Sequence, residues 1–278
     1  GQGHETVFAQ FLSDQTGIPA DHIRVVQGDS DLIARGGGTG GSRSGTVQAN
    51  ATLQTVAVMQ KAFRAFLSDK LEVDADQIVF DDERFRAPGS NLSPTFLEVA
   101  DMARAAGRED LMQHSAYAVL DSRSFPNGAH ICEVEIDPDT GAVEVARYSV
   151  VDDFGNLLNP MLVEGQVHGG VAQGIGQAIS EHVVYDDQGQ LLSASFMDYA
   201  VPRAKDVPFY QFETEPLPTT TNVMGMKGCG EAGTVGALAA VSNAVHDALS
   251  CYGVRQLDMP FTPLRVWEAL NQADVAAE

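Results

Sequence analysis

A run of glycines in the first third of the sequence limits the fold more than any other feature. Residues 35–45 read RGGGTGGSRSG, so six of these eleven residues are glycine. Glycine loses more conformational freedom on folding than any other residue, and neither a helix nor a strand tolerates this density. The run therefore predicts a loop with an accessible main chain. Apolar residues at helical spacing follow it and predict a long amphipathic helix over about 46–70.

Two more glycine-rich segments lie at 1–3 and 225–233. Tight turns and close packing are the simpler interpretation of any one such segment. The functional interpretation is that N–H groups exposed in the turn, with a helix beginning behind them, bind a phosphate or another anion. The residues alone leave both interpretations open.

The spacing G-x-G-x-x-G occurs twice, at 36–41 and at 228–233. A dinucleotide-binding fold needs a buried strand directly before the first glycine and an acidic residue about twenty residues further on. The residues before Gly228 make a poor buried strand, and Asp258 lies too far along the chain. An NAD-binding dehydrogenase that uses the loop from Gly228 to Gly233 is therefore kept only as an alternative.

The rest of the sequence mixes helical patterns with hairpins and lacks the strict alternation of strand and helix, which favours an α+β fold. A boundary near 154–160 divides the chain into a first lobe, 1–154, and a second lobe, 155–278, which carries the last glycine segment. The predicted helices cover the first fifteen or so residues, 46–70, 93–106, the segment from 165 to about 184, 235–249, and 263–270 with Trp267 on its apolar side. Ser93 and Pro94 are expected to cap the third of these helices, and the glycines of 165–176 would let a second backbone come close to the fourth. The predicted strands cover 22–27, 77–80, 130–136, 143–151, 183–185, 191–192 and 209–215, with hairpins around 137–141 and 186–189.

Charge and composition exclude several classes of partner. The 278 residues include 38 acidic and 17 basic ones, for a net charge of −21. A field of this sign repels nucleic acid and anionic lipid, so we expect neither as a partner. No apolar stretch is long enough to cross a membrane and no signal peptide opens the sequence, which predicts a cytoplasmic protein. Because the first residue is Gly1 rather than Met, we expect a fragment or a processed subunit.

The cysteines and histidines predict no metal ligands in this chain. Cys132, Cys229 and Cys251 form neither a C-x-x-C pair nor an even set, so neither a disulfide framework nor a protein-ligated zinc or iron–sulfur site is expected. The histidines are scattered and share no metal-binding spacing. Any metal would have to arrive on another molecule.

Glu231 is the most distinctive carboxylate, because it lies between glycines and precedes an almost uncharged helix. The simpler interpretation is an exposed glutamate in a first helical turn, where the helix dipole favours it. The other is a general base, for which a single positioned carboxylate is suited.

Five motifs together resemble one family. GQGHET at 1–6, GTGGSRS at 38–44, VAQGIGQA at 171–178, DYAVPRA at 198–204 and KGCGEAGTVG at 227–236 occur in the order found in the molybdenum hydroxylases. The chain resembles the C-terminal half of the molybdopterin-binding large subunit of the xanthine dehydrogenase, aldehyde oxidase and carbon monoxide dehydrogenase family. The resemblance covers nearly the whole chain. It implies a molybdenum cofactor-binding α+β fold with mixed and antiparallel sheets, packed helices and two lobes.

The resemblance also implies roles for individual residues. Gln2 would hydrogen-bond the pterin, Gln173 would be a further contact, and Glu231 would be the active-site general base. The three glycine segments would converge on the cofactor with Glu231 facing it. The residues expected at the cofactor are Gly1, Gln2, Gly3, Thr39, Gly40, Gly41, Ser42, Arg43, Ser44, Gln173 and Gly230.

The same resemblance implies cofactors and partners outside this chain. The cofactor would be molybdenum–molybdopterin, with the cytosine dinucleotide form as one alternative, while 2Fe-2S clusters and FAD would lie on other domains or subunits. The substrate would be an aldehyde, an N-heterocycle or a related small molecule, hydroxylated with oxygen derived from water. Without the upstream half of the subunit and the iron–sulfur and FAD parts, we expect no turnover. A non-catalytic assembly or storage module is the third hypothesis.

Overall fold

The computed structural model describes residues 1–33, 35–120 and 122–277, with the side chains of 273–277 left aside. Contacts within the chain form two compact units. Unit 1 comprises Gly1–Ser124 and Thr219–Met226, and unit 2 comprises Phe125–Pro218 and Lys227–Glu278. Each is described by itself below. The division into lobes 1–154 and 155–278 stays a prediction.

Unit 1 combines three helices with one short hairpin. The last of its helices begins with a capping box, in which Thr95 and Glu98 satisfy each other's main-chain N–H groups. The N-cap is therefore Thr95 and not the predicted Ser93. The elements of unit 1 are α1 (His4–Thr16), α2 (Ser44–Leu71), β1 (Val79–Asp81), antiparallel β2 (Arg84–Arg86) and α3 (Phe96–Ala105).

The core of unit 1 is aromatic. Phe63 of α2 meets Phe85 and Phe96, and Phe80 lies 4.8 Å from Phe96 between ring centroids. Edge-on and tilted ring pairs of this kind stabilise a core beyond the area they bury. They fix α2 and α3 onto the β1–β2 hairpin.

The strand predicted at 22–27 is wrong. A 3-10 turn covers Ala20–His22, and the residues that follow it join no strand ladder in the described chain. A strand needs a hydrogen-bonded neighbour, and local alternation cannot supply one. Val26 accordingly remains 42% exposed.

Unit 2 is a three-stranded mixed sheet with three helices. The predicted hairpin is confirmed, and a turn at 137–141 joins its two strands. The third strand pairs with the second in parallel, so the strand order is β3-β4-β5. The elements of unit 2 are β3 (Asn127–Ile136), β4 (Val143–Asp153), α4 (Pro160–Ile179), β5 (Gln211–Thr214), α5 (Ala232–Ser250) and α6 (Pro263–Ala277).

Helices α4 and α5 touch through glycines. A Cβ atom added to Gly170 would lie 3.0 Å from the Cα of Gly233, and one added to Gly174 would lie 2.6 Å from the Cβ of Ala237. Both are closer than side chains normally approach, so only glycine permits this spacing of the helices. The prediction that the glycines of 165–176 admit a second backbone is confirmed at these two positions.

Three smaller predictions in unit 2 need correction. Helix α4 ends at Ile179 and not near Val184, and the hairpin predicted around 186–189 is a single bridge between Tyr185 and Leu191. Trp267 is 42% exposed, because α6 turns Val266 and Leu270 inward instead. Among the helices of the described residues, none has the length and apolar character needed to cross a membrane.

Candidate functional site

Glu231 is the N-cap residue of α5, directly after the last glycine segment. It is exposed within this chain, as is its neighbour Gly230. A carboxylate at a helix start lies at the positive end of the helix dipole. The side chain of Glu231 is therefore presented at an accessible helix start.

Gln173 lies beside the first turn of α5. The hydroxyl of Thr234 donates to the main-chain oxygen of Gly170 at 3.0 Å and contacts Oε1 of Gln173 at 3.1 Å. Thr234 follows Glu231 by three residues, so the helix contact brings Gln173 to the same end of α5 as Glu231. Two of the residues singled out by the sequence, from motifs far apart along the chain, thus lie at the same end of α5 in unit 2.

A buried ion pair anchors the start of the last glycine segment. The ammonium of Lys227 hydrogen-bonds Oδ2 of Asp153 at the end of β4, and the two side chains are only 8% and 10% exposed. The N–H of Lys227 also donates to the main-chain oxygen of Phe154 at 2.8 Å. The segment is thereby fixed to the sheet by both its main chain and its side chain.

Opposing effects act on the pKa of Asp153. Burial raises the pKa of this carboxyl, but hydrogen bonds from Lys227, Leu217 N–H and Gly155 N–H, together with the lysine charge, outweigh it and hold the pKa below its usual value. Asp153 is therefore ionised at neutral pH. In contrast, burial raises the pKa of the Cys229 thiol, so this thiol stays protonated and is a poor nucleophile.

A second buried polar cluster lies behind the N-terminal half of α5. Nδ1 of His130 is 2.7 Å from the hydroxyl of Tyr148, and its Nε2 is 3.4 Å from Oδ1 of Asp152. A Cβ atom on Gly236 would lie 2.5 Å from the His130 ring. The glycine thus lets α5 lie directly on the histidine.

The long glycine loop of unit 1 contains left-handed main-chain conformations. Gly38, Gly41 and Ser42 have positive φ angles of 66°, 63° and 53°, and turns with such residues form many anion-binding sites in proteins. No atom lies within 4 Å of a Cβ added at any of the six glycines of 35–45. The glycines of 36–41 make no hydrogen bond with another described residue. Open space beside an exposed glycine main chain suits an anionic group such as a phosphate.

The loop leads directly into α2. Ser44 is the first residue of this 28-residue helix, and its hydroxyl donates to Oγ1 of Thr39 at 3.0 Å. The hydroxyls of the two residues are thereby held on the loop side of the helix start. At the other glycine segment of unit 1, Gly3 adopts a left-handed φ of 75° and is the N-cap of α1, while Gln2 is exposed.

The described structure therefore groups the predicted residues in two sets. Gln173, Gly230 and Glu231 belong to unit 2, whereas Gly1, Gln2, Gly3 and 39–44 belong to unit 1. Convergence of the two sets on one cofactor stays a prediction. An open surface groove of about 530 Å³ in unit 1, between Arg84, Pro94 and Met102, is lined by none of the predicted residues.

Sequence reasoning missed Lys227 and Asp153 as functional neighbours. Two features of the sequence could have indicated them: Lys227 is the only lysine of its glycine-rich segment, and Asp152 and Asp153 end an apolar strand. Charged residues in such surroundings are usually paired when buried. Which acid would pair with the lysine depends on tertiary contacts that no local pattern records.

The dinucleotide-binding alternative lacks its structural basis. In the described chain no strand lies between Glu215 and Gly225, so the loop from Gly228 to Gly233 does not follow a buried parallel strand. Among the described residues, no group of three or more His, Cys, Asp or Glu side chains is arranged to hold a metal ion.

The α+β fold, the open glycine loop and the exposed carboxylate at a helix start suit a cofactor-binding domain. The sequence model of one such family, the molybdopterin cofactor-binding domain, matches residues 1–208. The chain belongs to that family, and its resemblance to the large subunits of the xanthine dehydrogenase type is confirmed.

Three relatives illustrate the match. The carbon monoxide dehydrogenase large chain of Hydrogenophaga pseudoflava is 34% identical, over 99% of this chain and 35% of its own length. The nicotine 6-hydroxylase large subunit of Paenarthrobacter nicotinovorans is 36% identical, over 97% of this chain and 34% of its own length. The solved CO dehydrogenase from Oligotropha carboxidovorans superimposes with a TM-score of 0.85 at 33% identity, over 99% of this chain and 35% of that one.

The chain thus spans about a third of the length of the curated relatives it matches. The predicted fold class is confirmed, since a mixed sheet, an antiparallel hairpin and packed helices match a solved structure at this score over nearly the whole chain.

Proposed function

We propose that this chain is the part of a molybdenum hydroxylase large subunit that binds molybdopterin and supplies the general base, Glu231. The observation that carries the proposal is the contact between Gln173 and Thr234, which brings a predicted cofactor ligand to the helix start that bears Glu231. The open glycine loop at 36–41 supports it independently, because no atom lies within 4 Å of a Cβ added at any of its glycines, and main-chain N–H groups in such a loop suit the anionic part of a cofactor.

Each group of residues has a distinct task in this proposal. The N–H groups of 39–41, with the side chains of Thr39, Ser42, Arg43 and Ser44, would hold the anionic part of the cofactor, and Gln2, between Gly1 and Gly3, would hydrogen-bond its pterin. Molybdopterin, when bound, supplies the redox chemistry that the side chains cannot. Glu231 would accept the proton released as water-derived oxygen is transferred to the substrate. A positioned base of this kind accelerates a reaction by about 10²–10⁴-fold.

We propose a small electrophilic substrate, such as an aldehyde or an N-heterocycle. Relatives are named for carbon monoxide, nicotine and xanthine, so a screen should include a representative of each class. The cytosine dinucleotide form of the cofactor, 2Fe-2S and FAD on partner domains or subunits, an upstream part of the same subunit, and a cytoplasmic location all belong to the proposal.

The test replaces Glu231 by Gln in the full-length, assembled enzyme. We expect turnover of the best substrate in the screen to fall by at least about 10²-fold, with molybdenum and pterin content unchanged. The control is Glu268→Gln, an exposed glutamate on α6, which should leave both turnover and cofactor content at the wild-type level. Full activity in the Glu231 variant would contradict the base, and absence of pterin from the wild-type enzyme would favour the non-catalytic hypothesis.

A further inference from the structure

Lys227, which forms a buried pair with Asp153, lies four residues before Glu231. Asp153 does more than neutralise the lysine. Its Oδ1 accepts the N–H of Gly155 at 2.9 Å and the N–H of Leu217 at 3.0 Å. Because main-chain groups from two separate segments hold this carboxylate, it is a fixed point in unit 2.

The opposite end of the Glu231 loop is also fixed. A Cβ atom on Gly233 would lie 2.5 Å from the main-chain oxygen of Val167, and the Thr234 hydroxyl bonds to the main chain of Gly170. Helix α4 therefore locks the loop two residues after Glu231. Lys227 is the corresponding attachment on the other side.

Between these attachments the main chain contains two glycines, and the side chain of Cys229 packs against the core of unit 2. The residues from Lys227 to Glu231 include Gly228 and Gly230, and glycine allows more main-chain conformations than any other residue. The direction in which Glu231 projects therefore depends in part on where the two ends are held. Removing the Lys227 side chain would leave this end held by its main-chain hydrogen bond to Phe154 alone and would loosen the residues that lead to Glu231.

We infer that Lys227 and Asp153 are positioning residues, which orient Glu231 by tethering its loop to the end of β4. The inference rests on the proposed function for its catalytic consequence, although the tether itself can be tested without any turnover. A misplacement of a reacting group by about 1 Å can cost about 10²-fold in rate. A loosened loop should therefore lower kcat while leaving substrate binding nearly unchanged.

A double variant separates positioning from simple stability. Either Lys227→Met or Asp153→Asn alone leaves one buried charge without its partner, which destabilises a protein strongly. The double variant has no unpaired charge, so it should fold more stably than either single variant. It still lacks the lysine tether, so it should not recover the position of Glu231.

The experiment compares these three variants in the full-length, assembled enzyme. We expect kcat to fall by about 10–100-fold in Lys227→Met and in the double variant, with KM and molybdenum content near wild type. Amide hydrogen exchange over 227–231 should rise by at least about tenfold in both, while exchange within α4 and the centre of α5 in the double variant stays unchanged. The matched control is Lys205→Met, since Lys205 is 75% exposed and pairs with Asp206 at the surface.

Two results would overturn the inference: wild-type turnover in the double variant, or wild-type exchange over 227–231 in Lys227→Met. A fully active Glu231→Gln variant would exclude Glu231 as the general base. Amide hydrogen exchange over 227–231 would still test whether Lys227 and Asp153 hold the loop in place. If none of the variants assembles, amide hydrogen exchange in the wild-type enzyme tests the attachment of the loop instead. The Lys227 amide, which donates to Phe154, must then be protected, and exchange at the rate of an unstructured peptide would refute the tether.

Discussion

Gly170 of α4 and Gly233 of α5 face each other so closely that a Cβ atom on Gly170 would lie 3.0 Å from the Cα of Gly233. We expect Gly170→Ala to force the helices apart and to lower the free energy of unfolding by about 1–3 kcal/mol. Denaturation midpoints of the purified protein measure this.

Gly169 provides the matched control, because it lies next to Gly170 on the same helix and no atom lies within 4 Å of its Cβ position. Gly169→Ala should leave stability unchanged or raise it by about 0.5–1 kcal/mol, as alanine normally does within a helix. Equal effects at the two positions would show that the helix contact does not depend on glycine.

Asp153 should make stability depend on pH in the acidic range. Its pKa is lower when folded than its ordinary value of 3.8, so the folded state binds its proton less readily than the unfolded state does. The stabilisation it provides is complete above the ordinary value and is lost as the pH falls through the folded pKa. Asp153→Asn should therefore be less stable than wild type at pH 7, and the difference should shrink below about pH 4. A difference that is constant from pH 7 to pH 3 would contradict this assignment.

Tyr148 and Tyr210 are both buried tyrosines of unit 2, but only one hydroxyl is paired. The Tyr148 hydroxyl lies 2.7 Å from His130, whereas that of Tyr210 has no hydrogen-bond partner among the described residues. Tyr148→Phe should cost about 1–3 kcal/mol, because it leaves a buried ring nitrogen unpaired. Tyr210→Phe should be neutral or stabilising. Thermal unfolding of the two variants measures both effects. Equal losses of stability would contradict the assignment of a hydrogen bond to Tyr148 alone.

Thr95 should stabilise the start of α3. Thr95→Ala removes the side-chain acceptor for the N–H of Glu98 and should cost about 0.5–2 kcal/mol. Ser93→Ala, at the cap predicted from sequence, should cost much less. Urea unfolding of both variants decides between the two caps, and a larger loss at Ser93 would favour the sequence prediction.

Long periodic segments made much of the fold predictable. Helices α2 and α5 and the β3–β4 hairpin each repeat their pattern over many residues and were placed within a few residues of their ends. The parallel pairing of β5 with β4 was not predictable, because the two strands are far apart in sequence and no local pattern specifies which strands pair. The strand predicted at 22–27 is wrong for a related reason, since alternation alone does not show whether a neighbouring strand is present.

The candidate site likewise has features that the sequence predicts and features that it does not. Glycine patterns indicated both the open glycine loop and the contact between α4 and α5, since each needs a residue without a side chain. The meeting of Gln173 with Thr234 follows from helix packing, and the pairing of Lys227 with Asp153 follows from the chain path after β5. Neither has a local signature that a sequence alone could reveal.

The structure of the complete enzyme with its cofactor bound tests the central claim most directly. The account predicts that the Glu231 carboxylate lies within hydrogen-bonding reach, about 2.6–3.2 Å, of the reacting oxygen at the cofactor, and that Gln2 and residues 39–44 contact the same cofactor. A Glu231 side chain directed into bulk water, with the cofactor held elsewhere, would contradict it.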